Sequence, residues 1–225
     1  NDHMTILKKE QFGGDKKIGQ SILHKPERKI VKWMVPRVPK KIETYHLTLM
    51  TIPISILIII FSYLSIFDIR WLWGASIMIA FQWLTDSLDG AVGRKRNTGL
   101  IKWGFYMDHF LDYIFLAAII IGYLFIIPEQ YEFIKFFVFA IFVGFMINSY
   151  LSFATTNKFK VSYLGIGPTE IRIIFIIINS LIILFDKTYL SGTLPYVLIF
   201  SFSGLCLVVY REQKELWATD MKNKK

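Results

Sequence analysis

The chain has 225 residues, of which 54% are hydrophobic and 19% are charged, and its mean hydropathy is +0.45. This composition excludes an ordinary soluble globular domain. Because Cys206 is the single cysteine, the sequence also excludes a disulfide framework and a cysteine-based metal site.

The N-terminal segment, residues 1–45, is basic and precedes the first apolar run. Within it, residues 22–35 place Ile30 and Trp33 among lysines and arginines, with Pro26 suited to a first helical turn and Pro36 at the end of the run. This pattern predicts an amphipathic helix that lies in the membrane interface. A solvated basic linker is the alternative.

Six apolar runs follow, and each is long enough to cross the hydrocarbon layer, which takes roughly 20 helical residues. They cover residues 47–66, 71–92, 104–127, 134–153, 169–186 and 190–210. We therefore predict an all-α polytopic membrane protein with six transmembrane helices. Residues 46–212 form its transmembrane domain and residues 213–225 form a tail.

Lysine and arginine residues divide unevenly between the two ends of these spans. Twenty-three lie on the side of the two termini, and three, Arg70, Lys135 and Lys187, lie on the other. By the positive-inside rule we expect both termini to be cytoplasmic. The net charge of +9 then requires no nucleic-acid partner, because a basic cytoplasmic face attracts anionic lipid headgroups.

Four aspartates lie at the predicted cytoplasmic ends of spans two and three, where the chain otherwise avoids charge: Asp86, Asp89, Asp108 and Asp112. Spacings of three and four residues place each pair on one helix face. If the faces meet, the repulsion between the carboxylates requires cations. An all-oxygen donor set favours Mg²⁺, Mn²⁺ or Ca²⁺ over zinc. The alternative, aspartates that simply lie in the headgroup layer, is less favoured because intramembrane ionisable groups are costly.

Two glycines and an arginine accompany the aspartates. Gly90 and Gly104 lack side chains, which lets a ligand approach closely, and the guanidinium of Arg94 can bind phosphate oxygens two at a time. These residues predict a polyphosphate ligand. The neighbouring Lys95 and Arg96 are interpreted as topology signals.

In this order the residues resemble the signature of the CDP-alcohol phosphotransferases. That signature reads D-x2-D-G-x2-A-R and, after eight or nine residues, G-x3-D-x3-D. Here Gly93 replaces the alanine, and nine residues separate Arg94 from Gly104. The matching residues are Asp86, Asp89, Gly90, Arg94, Gly104, Asp108 and Asp112.

The resemblance implies an enzyme of phospholipid biosynthesis. It would transfer a substituted phosphoryl group from a CDP-linked donor to an acceptor alcohol, one of which is a lipid, and release CMP. The sequence leaves open which of the two substrates is the lipid. The resemblance also implies a homodimer.

Site roles follow from the same resemblance. Asp86, Asp89 and Asp108 would hold two divalent cations, expected to be Mg²⁺ with Mn²⁺ as the alternative. Asp112 would be the general base and would also touch a metal. The nucleotide would be bound by Asp86, Gly90, Arg94 and Gly104.

The stretch LGIGPTEIRII, residues 164–174, opens the fifth span and carries Glu170 and Arg172. These two groups are candidates for binding the acceptor or a lipid phosphate, although a helix dipole and topology explain them too. His109 resembles the histidine of choline and ethanolamine phosphotransferases in a D-H-x2-D pattern, and packing explains it equally well. Asn148 and Asn179 are interpreted as contacts between helices.

Two other functions are compatible with parts of the pattern. Intramembrane prenyltransferases also present two aspartate-rich motifs to Mg²⁺ and diphosphate, but in longer chains with more widely separated motifs. A cation transporter would use the carboxylates as an ion path, yet the centres of all six runs lack charged residues.

Overall fold

The computed structural model describes residues 17–18, 22–98, 100–128, 131–156, 159–160, 166–185 and 188–223. Within these ranges the chain forms eight α-helices and one two-residue parallel strand pair, Lys17–Ile18 with Phe159–Lys160. The all-α class is confirmed. The helices are α1 (His24–Met34), α2 (Thr44–Leu49), α3 (Thr51–Leu64), α4 (Leu72–Arg96), α5 (Ile101–Leu124), α6 (Glu132–Thr156), α7 (Pro168–Phe185) and α8 (Thr188–Asn223).

Part of the predicted N-terminal segment, residues 1–16 and 19–21, and the last two residues of the predicted tail lie outside the described residues. The helix α8 continues through the predicted start of the tail at residue 213. The three-part division of the chain therefore stays a prediction.

Five helical segments are long and apolar enough to cross a membrane, which confirms the polytopic class. The predicted span at residues 71–92 falls on α4, which has 25 residues but carries Gln82, Asp86 and Asp89. These polar side chains make α4 less apolar than the other five. The five segments are Thr44–Leu64, Lys102–Leu124, Phe133–Thr156, Pro168–Phe185 and Gly192–Lys222.

The helices α3, α4, α5 and α7 form the central packing unit. Helix α3 packs against α4 and α5, and α4 also packs against α7. Close packing of this kind drives helix association in a membrane, where burial of apolar surface adds little. The buried side chains that join the four helices are Ile54, Ile58, Ile79, Phe115, Leu116, Ile119 and Phe175.

Buried Asn179 links three of these helices by hydrogen bonds. The Tyr123 hydroxyl in α5 donates to its Oδ1 at 2.9 Å, and its Nδ2 donates to the Ser76 hydroxyl in α4 at 3.1 Å. The interpretation of Asn179 as a contact between helices is confirmed. Because Arg172 lies two turns before Asn179 on the same face of α7, these bonds also orient Arg172.

The predicted interfacial helix, residues 22–35, forms α1 and the start of a 3-10 turn. Val35 is buried in one cluster with Leu88 and Val92 of α4. On the opposite side, Ile30 and Trp33 are exposed. A helix with one packed face and exposed apolar residues among basic ones is typical of a membrane surface.

The chain reverses direction between α4 and α5. Asn97 ends α4 in the left-handed conformation with φ 52°, which asparagine tolerates better than most residues. Arg96 then ties this end of α4 to the segment between α1 and α2, so its interpretation as a topology signal alone is incomplete. Its guanidinium donates to the carbonyl oxygens of Ile42 at 2.6 Å, Val38 at 2.8 Å and Pro39 at 3.1 Å.

Candidate functional site

The four aspartates lie at one end of the bundle, called here the aspartate end. Asp86 and Asp89 are near the end of α4, and Asp108 and Asp112 are in the first half of α5. Helix α3 packs against both α4 and α5 and holds the two helices in one bundle. All four residues are partly exposed, so a substrate can reach their carboxylates.

Arg172 joins the two aspartate pairs. Its Nη2 donates to Oδ2 of Asp86 at 3.0 Å and to Oδ1 of Asp112 at 3.4 Å. The side chain is only 5% exposed, and its guanidinium carbon lies 5.4 Å from the centre of the Phe115 ring. One nitrogen therefore connects α4, α5 and α7. Breaking such a buried pair leaves an uncompensated charge, so the contact favours one arrangement of the three helices.

The Nε of Arg172 is buried and has no hydrogen-bond partner in the part of the chain that the structure describes. A buried guanidinium donor usually has an acceptor. This nitrogen thus has an unused donor close to Asp86 and Asp112.

Asp89 is oriented by Thr48 of α2. The Thr48 hydroxyl donates to its Oδ2 at 2.5 Å, and Thr48 itself is buried. Sequence analysis did not identify Thr48, because a threonine within an apolar span carries no signal that separates it from other polar residues there.

His109 is held by packing on one side of the site. Its Nδ1 lies 2.7 Å from the Phe105 carbonyl oxygen and 4.0 Å from Oδ2 of Asp108. The Tyr150 hydroxyl of α6 donates to the His109 carbonyl oxygen at 3.0 Å. The rings of Phe105 and Tyr150 lie 4.3 and 5.6 Å from the imidazole. Packing thus accounts for the position of His109, and its acceptor role stays a prediction.

The predicted nucleotide residues differ in their surroundings. A side-chain carbon added at Gly90 would lie 3.1 Å from Nη1 of Arg94, so the guanidinium folds back over this glycine. At Gly104 an added carbon would meet no atom within 4 Å among the described residues. Arg94 is exposed. Open space beside one glycine and an exposed guanidinium beside the other leave room for an anionic ligand.

Glu170 is buried at the start of α7. Its Oε1 accepts from the Leu23 backbone N–H at 2.8 Å, and its Oε2 accepts from the Gly167 backbone N–H at 2.9 Å. These contacts tie α7 to the start of α1. The prediction that Glu170 binds the acceptor stays a prediction.

Glu27 of α1 was not predicted as a site residue. Its Oε2 accepts from the Thr169 hydroxyl at 2.8 Å and its Oε1 from the Ser87 hydroxyl at 3.2 Å. In sequence, a glutamate within a basic helix cannot be distinguished from an ordinary surface residue, because its partners lie 60 and 142 residues away.

The donor chemistry of the aspartate end fits a hard divalent cation, because its candidate ligands are carboxylates. The guanidinium between Asp86 and Asp112 shows that these two side chains face a common positive charge. Within the described residues, no three His, Cys, Asp or Glu side chains lie close enough together to hold a metal ion. The ligand types are therefore suitable, while the arrangement itself does not assemble a complete ligand set.

The model of the CDP-alcohol phosphatidyltransferase family matches residues 44–208. This range runs from α2 into α8 and includes every predicted site residue. No curated protein matches the chain.

Proposed function

Because the chain belongs to the CDP-alcohol phosphatidyltransferase family, a family of membrane transferases in phospholipid synthesis, we propose that it transfers a substituted phosphoryl group from a CDP-linked donor to an acceptor alcohol and releases CMP. The observation that carries the proposal is the Arg172 contact, which joins Asp86 of α4 to Asp112 of α5. This contact supports a single site formed by both halves of the signature.

Asp112 is the proposed general base. Its carboxylate is 32% exposed, so the hydroxyl group of an acceptor can approach it, and the contact with Arg172 restricts its orientation. A positioned base that takes the hydroxyl proton contributes about 10²- to 10⁴-fold to the rate of such a transfer.

Asp86, Asp89 and Asp108, together with Asp112, are the proposed ligands of two divalent cations, Mg²⁺ or Mn²⁺. When bound, these ions would neutralise the negative charge that develops on the leaving CMP. The hydrogen bond from Thr48 supports this role, because it fixes the carboxylate of Asp89 and groups that orient metal ligands raise metal affinity.

The nucleotide would lie along Asp86, Gly90, Arg94 and Gly104. Exposed Arg94 can bind the diphosphate, and the open space at Gly104 admits a ligand close to the α5 backbone. The unpartnered Nε of Arg172 suits a phosphate oxygen of the lipid donor or of the acceptor. Glu170 and His109 are weaker acceptor candidates.

The protein is an integral membrane protein. We place its site and both termini in the cytoplasm on the distribution of lysine and arginine. A site at this boundary suits one water-soluble and one lipid substrate. A homodimer is part of the proposal through family resemblance.

Measurement of CMP release tests the proposal. The purified full chain is incubated with Mg²⁺ and either CDP-diacylglycerol with polar alcohols, or CDP-choline or CDP-ethanolamine with diacylglycerol. Release of CMP by one pair, lost in Asp112→Asn, would establish the reaction and its substrates. A chain that neither releases CMP nor binds a CDP-linked donor would refute the proposal and favour the prenyltransferase or transporter.

A further inference from the structure

Two glutamates, one in α1 and one in α7, form hydrogen bonds between these two helices. Glu27 of α1 accepts hydrogen bonds from Thr169 of α7 and Ser87 of α4. In the opposite direction, Glu170 of α7 accepts from the backbone N–H of Leu23 at the start of α1. We call these three contacts between helices the glutamate latch.

The latch lies beside the Arg172 ion pair. Ser87 directly follows Asp86 in α4. Thr169 precedes Arg172 by three residues, so the two lie on one face of α7. The bonds to Glu27 thus connect α4 and α7 about one turn from the point where Arg172 reaches Asp86.

Helix α1 is also fixed to α4 by apolar contacts. Val31 and Met34 pack against the cluster of Val35, Leu88 and Val92. With one side anchored to α4 and the latch bonded to α7, α1 connects the two helices from outside the bundle. A movement of α7 away from α4 would lengthen the 3.0 Å contact between Nη2 of Arg172 and Asp86.

We propose that Glu27 and Glu170 are positioning residues that hold α7 against α4, so that Arg172 is presented between Asp86 and Asp112. This inference rests on the proposed function for its effect on turnover. The positioning role makes α1 part of the catalytic unit. Glu27 lies outside residues 44–208, which the family model matches.

Steady-state CMP release by Glu27→Ala is the first test. We expect kcat to fall about tenfold, because a displacement of about 1 Å at a reacting centre costs that much or more, while KM for the CDP-linked donor changes less than about twofold. Glu27→Gln keeps an acceptor oxygen on a side chain of equal length and should recover most of kcat. The matched control is Lys29→Ala, an exposed residue of the same helix, which should behave as wild type.

A double-mutant cycle separates positioning from general loosening. Thr169→Val removes one hydroxyl that donates to Glu27. If both residues act through this bond, the double variant is no slower than Glu27→Ala alone, whereas independent effects multiply. If Glu27→Ala does not fold, Thr169→Val and Ser87→Ala, which each remove one bond, take its place in the same measurements.

Reactivity of Arg172 with phenylglyoxal, followed by peptide mapping, tests the latch without any turnover assay. The 5% exposed side chain should react slowly in the wild type and in Lys29→Ala, and several-fold faster in Glu27→Ala. Unchanged kcat and unchanged reactivity in Glu27→Ala, or equal losses in Lys29→Ala, would overturn the inference. A wild-type chain that releases no CMP would remove the proposed function, while the reactivity of Arg172 would still decide whether the latch positions it.

Discussion

The aspartate end and the α6–α8 pair both contain buried polar groups, but these groups are connected differently. At the aspartate end, Arg172 and Glu27 each bond to two other helices. Between α6 and α8, the buried bond from the Ser152 hydroxyl to Oε2 of Glu212, 3.0 Å long, joins two helices. A polar network that spans several helices fixes a site, whereas a single bond fixes one pair.

The two regions also differ in how much of their helices is buried. In the Thr44–Leu64 span, 39% of the most apolar 18-residue stretch is buried inside the protein. In the Gly192–Lys222 span of α8, the corresponding share is 11%. A cavity of about 150 Å³ lies between α6 and α8, next to Ser152 and Glu212, and none of the four aspartates lines it. Much of α8 thus presents apolar surface to lipid or to another chain. The comparison predicts that substitutions affect catalysis at the aspartate end and mainly stability at the α6–α8 pair.

The largest effect is expected for Asp112→Asn. Turnover should fall about 10³-fold, because the substitution removes the proposed base, while binding of a CDP-linked donor largely remains. CMP release and equilibrium binding measure the two effects, with exposed Asp220→Asn in α8 as the control. Equal losses of turnover and binding would make Asp112 mainly a metal ligand.

Arg172→Ala should lower kcat/KM by about 100-fold, since it leaves Asp86 and Asp112 without their buried counter-charge, at a cost of about 3 kcal/mol. The matched control is Arg70→Ala. Hydrogen bonds from Arg70 lower the pKa of Asp68, but the pair is exposed at the opposite end of the bundle, and exposed pairs contribute little. Comparable losses in both variants would contradict a special role for the buried pair.

Thr48→Val should weaken the apparent Mg²⁺ affinity about tenfold, because it removes the group that orients a proposed metal ligand, Asp89. Titration of CMP release with Mg²⁺ measures the change. Thr219→Val removes an exposed hydroxyl that bonds only within α8 and serves as the control. An unchanged Mg²⁺ dependence in Thr48→Val would argue against Asp89 as a ligand.

The smallest effects are expected for the buried bonds away from the carboxylates. Asn179→Leu should lower the free energy of unfolding by about 1–2 kcal/mol and also reduce kcat, because Asn179 orients α7. Ser152→Ala should lower stability by about 1 kcal/mol and leave kcat unchanged. Thermal unfolding in detergent measures the stability of both variants, and CMP release measures their kcat. A loss of kcat in Ser152→Ala would contradict the proposed difference between the aspartate end and the α6–α8 pair.

Composition and local spacing determined the class of this protein and predicted its main candidate site residues. Apolar runs of membrane length predicted the helices, and spacings of three and four residues predicted the shared faces of the aspartate pairs. The order and spacing of the signature residues between Asp86 and Asp112 predicted the family. These features lie within one or two adjacent helices, so the periodicity of the α-helix is sufficient to interpret them.

Only the tertiary structure decided which distant residues complete the site. The contacts of Arg172 with Asp86, of Thr48 with Asp89 and of Glu170 with the start of α1 join residues 86, 41 and 147 positions apart. Helix packing angles and rotations set these contacts, and no local pattern encodes them. A threonine in an apolar span or a glutamate in a basic helix becomes a candidate site residue only when the fold brings its partner within hydrogen-bond distance.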